Sequence, residues 1–163
     1  MTTPASLTLE LASEAETHRL ASELAKLAAP GVTVLLDGPV GAGKTTLARQ
    51  VILALLAKTG QVEDVPSPTF TIVQTYEAGP LEIWHADLYR LTSTAELNEL
   101  GLETAFDSAF CLVEWPDRMG AERPDALTIA LSYGTGGAER LAQITATGTA
   151  RAILERLKES LPQ

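Results

Sequence analysis

Polar and apolar residues alternate through SLTLELA, residues 6–12, with Leu7, Leu9 and Leu11 on one side, and this predicts a short half-buried strand. The period then lengthens. Thr17, Leu20, Ala21, Leu24, Leu27 and Ala28 recur at helical spacing, behind Ser13 and Glu16 in the spacing of a capping box, and Pro30-Gly31 closes the helix. VTVLLD, residues 32–37, is a continuous β-branched run of the kind found in strands buried on both faces of a parallel sheet. Beyond a glycine-rich break, Leu47, Val51 and Leu55 share a helix face that Ile52 and Leu56 widen. TFTIVQTYEA and LEIWHAD read as strands joined in a hairpin by Gly79-Pro80. Ser93 and Glu96 repeat the capping spacing ahead of TAELNELG, with Glu96, Glu99 and Glu103 read as one solvated helix face.

FCLVEW is a short apolar run ending in an acid, after which Pro116 blocks simple continuation of the strand. ALTIALSYG and ERLAQITATG form a second hairpin pattern around the glycine-rich residues 134–137, and Ala150, Ile153, Leu154, Leu157 and Leu161 mark a last amphipathic helix. Helices and strands in this order predict an α/β sandwich whose mixed sheet is parallel at the centre and antiparallel at the margin, flanked by helices.

Composition narrows the function. A chain of 163 residues is read as one domain, residues 1–163, and 45% hydrophobic content is that of a globular protein. Acidic residues number 21 against 12 basic ones, a formal charge of −9, so a broad basic face for gripping nucleic acid is not expected. No apolar run approaches the ~20 residues that span a bilayer, and MTTPASLTLE lacks the pattern of a signal peptide, so the expected location is the cytoplasm, with no membrane partner. Cys111 has no second cysteine to pair with and no adjacent base to activate it. His18 falls off the apolar face of its helix and reads as solvated; Trp84 reads as core.

The glycine-rich break, GPVGAGKTT, carries the chemistry. Gly38-x-x-x-x-Gly43-Lys44-Thr45 meets the phosphate-binding pattern G-x(4)-G-K-[ST] in full, and it lies between a strand and a helix as that pattern requires. Average residue usage would bring these four positions together in roughly one such chain in a hundred. The glycines let successive amides turn inward around phosphate oxygens, and the following helix aims its positive end at the same anion. Gly41, Ala42 and Gly43 therefore read as cradle, with Thr46 on the helix behind. Lys44 reaches the β and γ phosphates and the Thr45 hydroxyl ligates Mg²⁺. Pro39 removes one amide from the variable part of the loop.

A P-loop site is completed by a carboxylate at the end of a neighbouring buried strand. Glu114 ends FCLVE, and Asp87 ends LEIWHAD with His85 two residues before it on the same face; the sequence leaves open which acid touches metal and which orients water. About twenty residues beyond the loop, PSPTFT offers Ser67, Thr69 or Thr71 as a hydroxyl that senses the γ-phosphate. Trp115, at a strand end, is placed to stack on a base or a partner, or to pack in the core.

GPVGAGKTT, SPTFTIVQTY, HADLYRL and CLVEWPDR, in that order and at those separations, resemble the bacterial TsaE family, formerly called YjeE, over essentially the whole chain. The resemblance implies a P-loop ATPase fold, ATP and Mg²⁺ as cofactors, and a role in making threonylcarbamoyladenosine in tRNA at the adenosine just 3′ of the anticodon. It also implies TsaD and TsaB as partners, tRNA met only through them, and ATP hydrolysis that resets their assembly. Carried over by position, Thr45 and Glu114 resemble the metal ligands, Asp87 a residue important for hydrolysis, Thr69 a member of the switch-like segment and Trp115 a residue near the nucleotide. Ser13 or Glu14 is implied near the adenine. The family more often has GDLGAGKT where this chain has GPVGAGKT, which implies altered loop detail with binding retained.

Two further readings are open to the sequence: a small-molecule kinase, for which no arginine-bearing lid is evident, and a nucleotide-gated adaptor. A GTPase is disfavoured because no [NT]-K-x-D sequence for reading guanine occurs. Arg90 and Arg118 are the chain's candidates for an arginine finger.

Overall fold

A computed structural model describes residues 6–69, 71–120, 123–137 and 139–161. Seven strands form one sheet in the order β1-β7-β6-β2-β5-β4-β3. The strands are β1 (Ser6–Leu11), β2 (Thr33–Asp37), β3 (Val73–Ala78), β4 (Leu81–Asp87), β5 (Phe110–Glu114), β6 (Ala126–Tyr133) and β7 (Arg140–Ala146). β2 runs parallel to both β5 and β6, and β4 runs parallel to β5. β3, β7 and β1 are antiparallel to their neighbours, so the sheet has the expected parallel centre and antiparallel margins.

The helices divide between the two faces because the strands' side chains alternate. Val34 and Leu36 of β2, with Phe110 and Leu112 of β5, face a core shared with Leu20 and Leu24 of α1 (Glu14–Lys26), Leu47 and Val51 of α2 (Lys44–Lys58), and Leu154 and Leu157 of α5 (Arg151–Ser160). Leu35, Cys111 and Val113 point the other way, against Leu97 of α3 (Ala95–Leu100) and Leu102, Ala105 and Phe106 of α4 (Leu102–Ser108). No helix among the described residues is long and apolar enough to cross a membrane.

Local chemistry departs from the sequence pattern at three places. The strand expected from Thr69 begins only at Val73, because Ile72 adopts φ 69° and turns the chain; Phe70 lies outside the described residues. TAELNELG forms α3 but stops at Gly101 (φ 80°), and α4 starts at once, so Glu103 belongs to a different helix from Glu96 and Glu99. The capping glutamates reach one residue further back than a capping box does. Glu16 accepts from the Ala12 amide at 2.6 Å, the Ser13 side chain makes no cap bond, and Glu96 accepts from the amide and hydroxyl of Thr92.

Candidate functional site

β2, β5 and β4 are neighbouring parallel strands, so their C-terminal ends open on the same edge of the sheet, where α/β folds place ligands. The loop leaving β2 begins at Gly38, whose φ of 139° and position admit no side chain: a Cβ there would overlap the Leu131 carbonyl of β6. It ends at Gly43, φ 102°, which caps α2 with open space on the side a Cβ would fill. The N-terminus of a 15-residue helix therefore opens onto the backbone of the loop.

Lys44, the first residue of α2, is only 5% exposed. Its ammonium donates to the Gly38 carbonyl and, at 3.2 Å, to the Pro39 carbonyl, and it lies 3.8 Å from the centroid of the Trp115 ring. Burial pushes its pKa below the ordinary lysine value, against the pull of Glu114, Asp37, Asp87 and Asp117. Trp115 reaches this position because the chain turns left-handed there, φ 59°, between the end of β5 and Pro116. Tyr89 packs on Trp115 with centroids 4.9 Å apart, and Arg118 stands 5.6 Å from the Tyr89 ring.

Next along the helix, the Thr45 hydroxyl donates to Glu114 Oε1 at 2.7 Å. Glu114 Oε2 is 2.7 Å from Nε2 of His85, which is fully buried. Strand register produces this contact: His85 lies opposite Leu112 and Asp87 opposite Glu114, so both acids and the imidazole share one face of adjacent strands. Asp87 accepts from the Tyr89 amide at 3.0 Å and from the Thr69 hydroxyl at 3.3 Å. Of the three hydroxyls in PSPTFT, Thr69 is thus the one that meets an acid. Ser67 bonds to Thr69 at 2.7 Å, and Thr71 accepts from Gln74 at 2.8 Å.

Lys44, Thr45, Thr69, Asp87, Glu114 and Trp115 line one open cavity of about 440 Å³. A second, of about 300 Å³, shares Gly41, Gly43 and Thr46 with it and adds Ala42, Ser13 and Glu14. The residues nominated for nucleotide and metal line one or other of these cavities, except Gly38, which acts as the loop's footing; Ser67, Thr71, Arg90 and Arg118 line neither. The donors suit Mg²⁺, which is held by one or two carboxylates together with phosphate oxygens and water. Two carboxylates and a threonine hydroxyl face a cradle of amides, and among the described residues no larger cluster of metal-binding side chains competes.

Four contributors escaped the sequence pattern. His85 was visible as the residue two before Asp87, but nothing local ties it to Glu114, 29 positions away. Tyr89 has no motif of its own. Tyr133, at the end of β6, donates its hydroxyl to the Val40 carbonyl, and Arg140, at the start of β7, donates to the Gly41 carbonyl at 3.3 Å, so the second hairpin props the loop from outside. These contacts span 93 and 99 residues and leave no local signal.

The family model described as threonylcarbamoyl adenosine biosynthesis protein TsaE matches residues 11–141. The tRNA threonylcarbamoyladenosine biosynthesis protein TsaE of Rickettsia conorii is 44% identical over 107 residues, 66% of this chain, and the match spans 59% of that relative's length. The protein of the same description from Bacillus subtilis is 36% identical over 134 residues, 82% of this chain and 81% of the relative. Among solved structures, the crystal structure of Bacillus subtilis YdiB superposes with a TM-score of 0.78 at 29% identity, covering 99% of this chain and 100% of that one. The fold agrees with a family match running across most of the sequence, and the chain belongs to the TsaE family.

Proposed function

We propose that the chain is the Mg-ATP-hydrolysing component of threonylcarbamoyladenosine formation in tRNA, acting through TsaD and TsaB and resetting their complex between turnovers. The observation that carries the reading is the convergence of Lys44, Thr45, Glu114, Asp87 and Thr69 on one cavity beneath the N-terminus of α2. The family assignment supports the pathway, and the acidic balance of −9 supports tRNA being held by a partner.

Residues Gly38 to Thr46 bind the phosphates, and the smaller cavity beside Ser13 and Glu14 receives the base. Lys44 exchanges the Gly38 and Pro39 carbonyls for phosphate oxygens, its ammonium leaving the Trp115 ring free to pack near the nucleotide. Thr45 and Glu114 would hold Mg²⁺, which would supply charge neutralisation at the phosphates. Asp87, already accepting from Thr69, orients the attacking water, and Thr69 reads the γ-phosphate. Arg118, over the Tyr89 ring that lines the cavity, Arg90 or an arginine of the partner supplies further positive charge. The test is phosphate release from ATP by the purified chain, alone and with its own TsaB–TsaD complex, with Lys44→Ala as the blank. Slow release that rises with the complex and vanishes in the variant is expected. Release indifferent to the complex overturns the coupling.

A further inference from the structure

We infer that His85 is a positioning residue of this site: donating from Nε2, it holds the Glu114 carboxylate so that the Thr45 hydroxyl turns its lone pairs toward the cation. The inference deepens the reading above, on which its metal half rests.

The tautomer follows from hydrogen-bond arithmetic. His85 is 0% exposed, its Nε2 is 2.7 Å from Glu114 Oε2, and its Nδ1 is buried with no hydrogen-bond partner. An ionised carboxylate only accepts, so the proton between them belongs to Nε2. Placing it on Nδ1 instead would set two acceptors against each other and bury an unpaired N–H as well. The Nε2–H form leaves only a bare lone pair at Nδ1, and unsatisfied acceptors are tolerated in interiors more often than unsatisfied N–H groups.

The consequence passes through Glu114. Both its oxygens are committed, Oε2 to His85 and Oε1 to the Thr45 hydroxyl at 2.7 Å. A threonine hydroxyl has one proton and two lone pairs, so once the proton is given to Glu114 the lone pairs are left for a cation. Without the Nε2–H bond one end of the carboxylate is free to rotate, and the hydroxyl loses its fixed acceptor. Outer partners that orient a metal's ligands commonly change metal affinity by about 10–100-fold when removed.

The test has two arms. The chain has two histidines, and His18 is exposed, so long-range ¹H–¹⁵N spectra of the imidazoles at neutral pH separate them directly. His85 is expected to carry its proton on Nε2; a ring protonated on Nδ1 with Nε2 bare overturns the inference. In the second arm, binding of a fluorescent ATP analogue is titrated with and without Mg²⁺ for the wild type, His85→Phe and His85→Gln. Phenylalanine fills the space without a donor, whereas glutamine keeps an N–H at the reach of Nε2. The gain in affinity on adding Mg²⁺ should fall roughly tenfold or more in His85→Phe and return in His85→Gln. Full Mg²⁺ dependence in His85→Phe, or equal loss in both variants, overturns the metal half. A wild type whose nucleotide affinity ignores Mg²⁺ overturns the proposed function and that half together, and the tautomer still decides the His85–Glu114 half, including where a variant fails to fold.

Discussion

On the proposed reading, single residues of this protein divide into those that act on the nucleotide and those held inert by burial. Asp87 has both oxygens occupied, by Thr69 and by the Tyr89 amide, and it makes no contact with the loop's amides. Asp87→Asn should therefore keep nucleotide affinity within a few-fold of wild type while lowering ATP hydrolysis by roughly 10²–10⁴, the usual worth of a positioned acid or base. Equilibrium binding and single-turnover hydrolysis measured on one preparation check both halves. Retained support for tRNA modification by that variant would favour the nucleotide-gated adaptor over the hydrolase. Cys111 is the opposite case, a group held inert. It is fully buried in β5, and burial pushes its thiol up to about 12 from 9.0. An unfolded thiol ionises above 9.0 while the folded one keeps its proton. Unfolding between those values thus releases a proton, and rising pH destabilises the fold there. A thiol reagent at neutral pH should leave the folded chain unlabelled and modify it in denaturant, as mass spectrometry would show.

At the scale of elements, the site depends on register more than on motif. β4 and β5 are parallel, and Asp87 faces Glu114 only because Ile83 pairs with Phe110 four residues earlier. A slip of β4 by one residue would turn Asp87 to the face that carries Cys111 and Val113 and away from Glu114. The hairpin of β6 and β7 adds a second constraint, through Tyr133 on Val40 and Arg140 on Gly41. Arg140→Ala should weaken nucleotide binding about 2- to 10-fold, as expected for one hydrogen bond, with melting temperature nearly unchanged; calorimetry of both quantities separates loop restraint from general stability. The smaller departures belong to this scale too. Gly101 is recognisable as a helix terminator, yet the sequence did not reveal that α4 would restart at once, because the burial of Leu102, Ala105 and Phe106 is supplied by the second core.

Across the whole molecule, one continuous sheet joins residue 6 to residue 146, and α5 returns to pack against the same core as α1 and α2. We expect residues 1–163 to behave as one domain, so thermal unfolding should give one transition with calorimetric and van't Hoff enthalpies in agreement. Two resolved transitions would separate the β3–β4 hairpin, with α3 and α4, from the rest.

The sequence by itself determined most of the elements, the mixed α/β class and the phosphate loop, because each is written in local spacing: period two, period 3.6, and four fixed positions of an eight-residue motif; the family resemblance rests on four such motifs in order. It also nominated both acids, since each ends an apolar run. Tertiary structure alone decided how those nominees combine. Thr69 rather than Ser67 or Thr71 meets Asp87, Lys44 rests on Trp115, His85 closes on Glu114, and a distant hairpin holds the loop. Those choices depend on strand pairing and on contacts between residues 18 to 99 positions apart, for which no local pattern exists. A hydrogen bond fixes a partner by distance and direction in space, and only the packed sheet sets those.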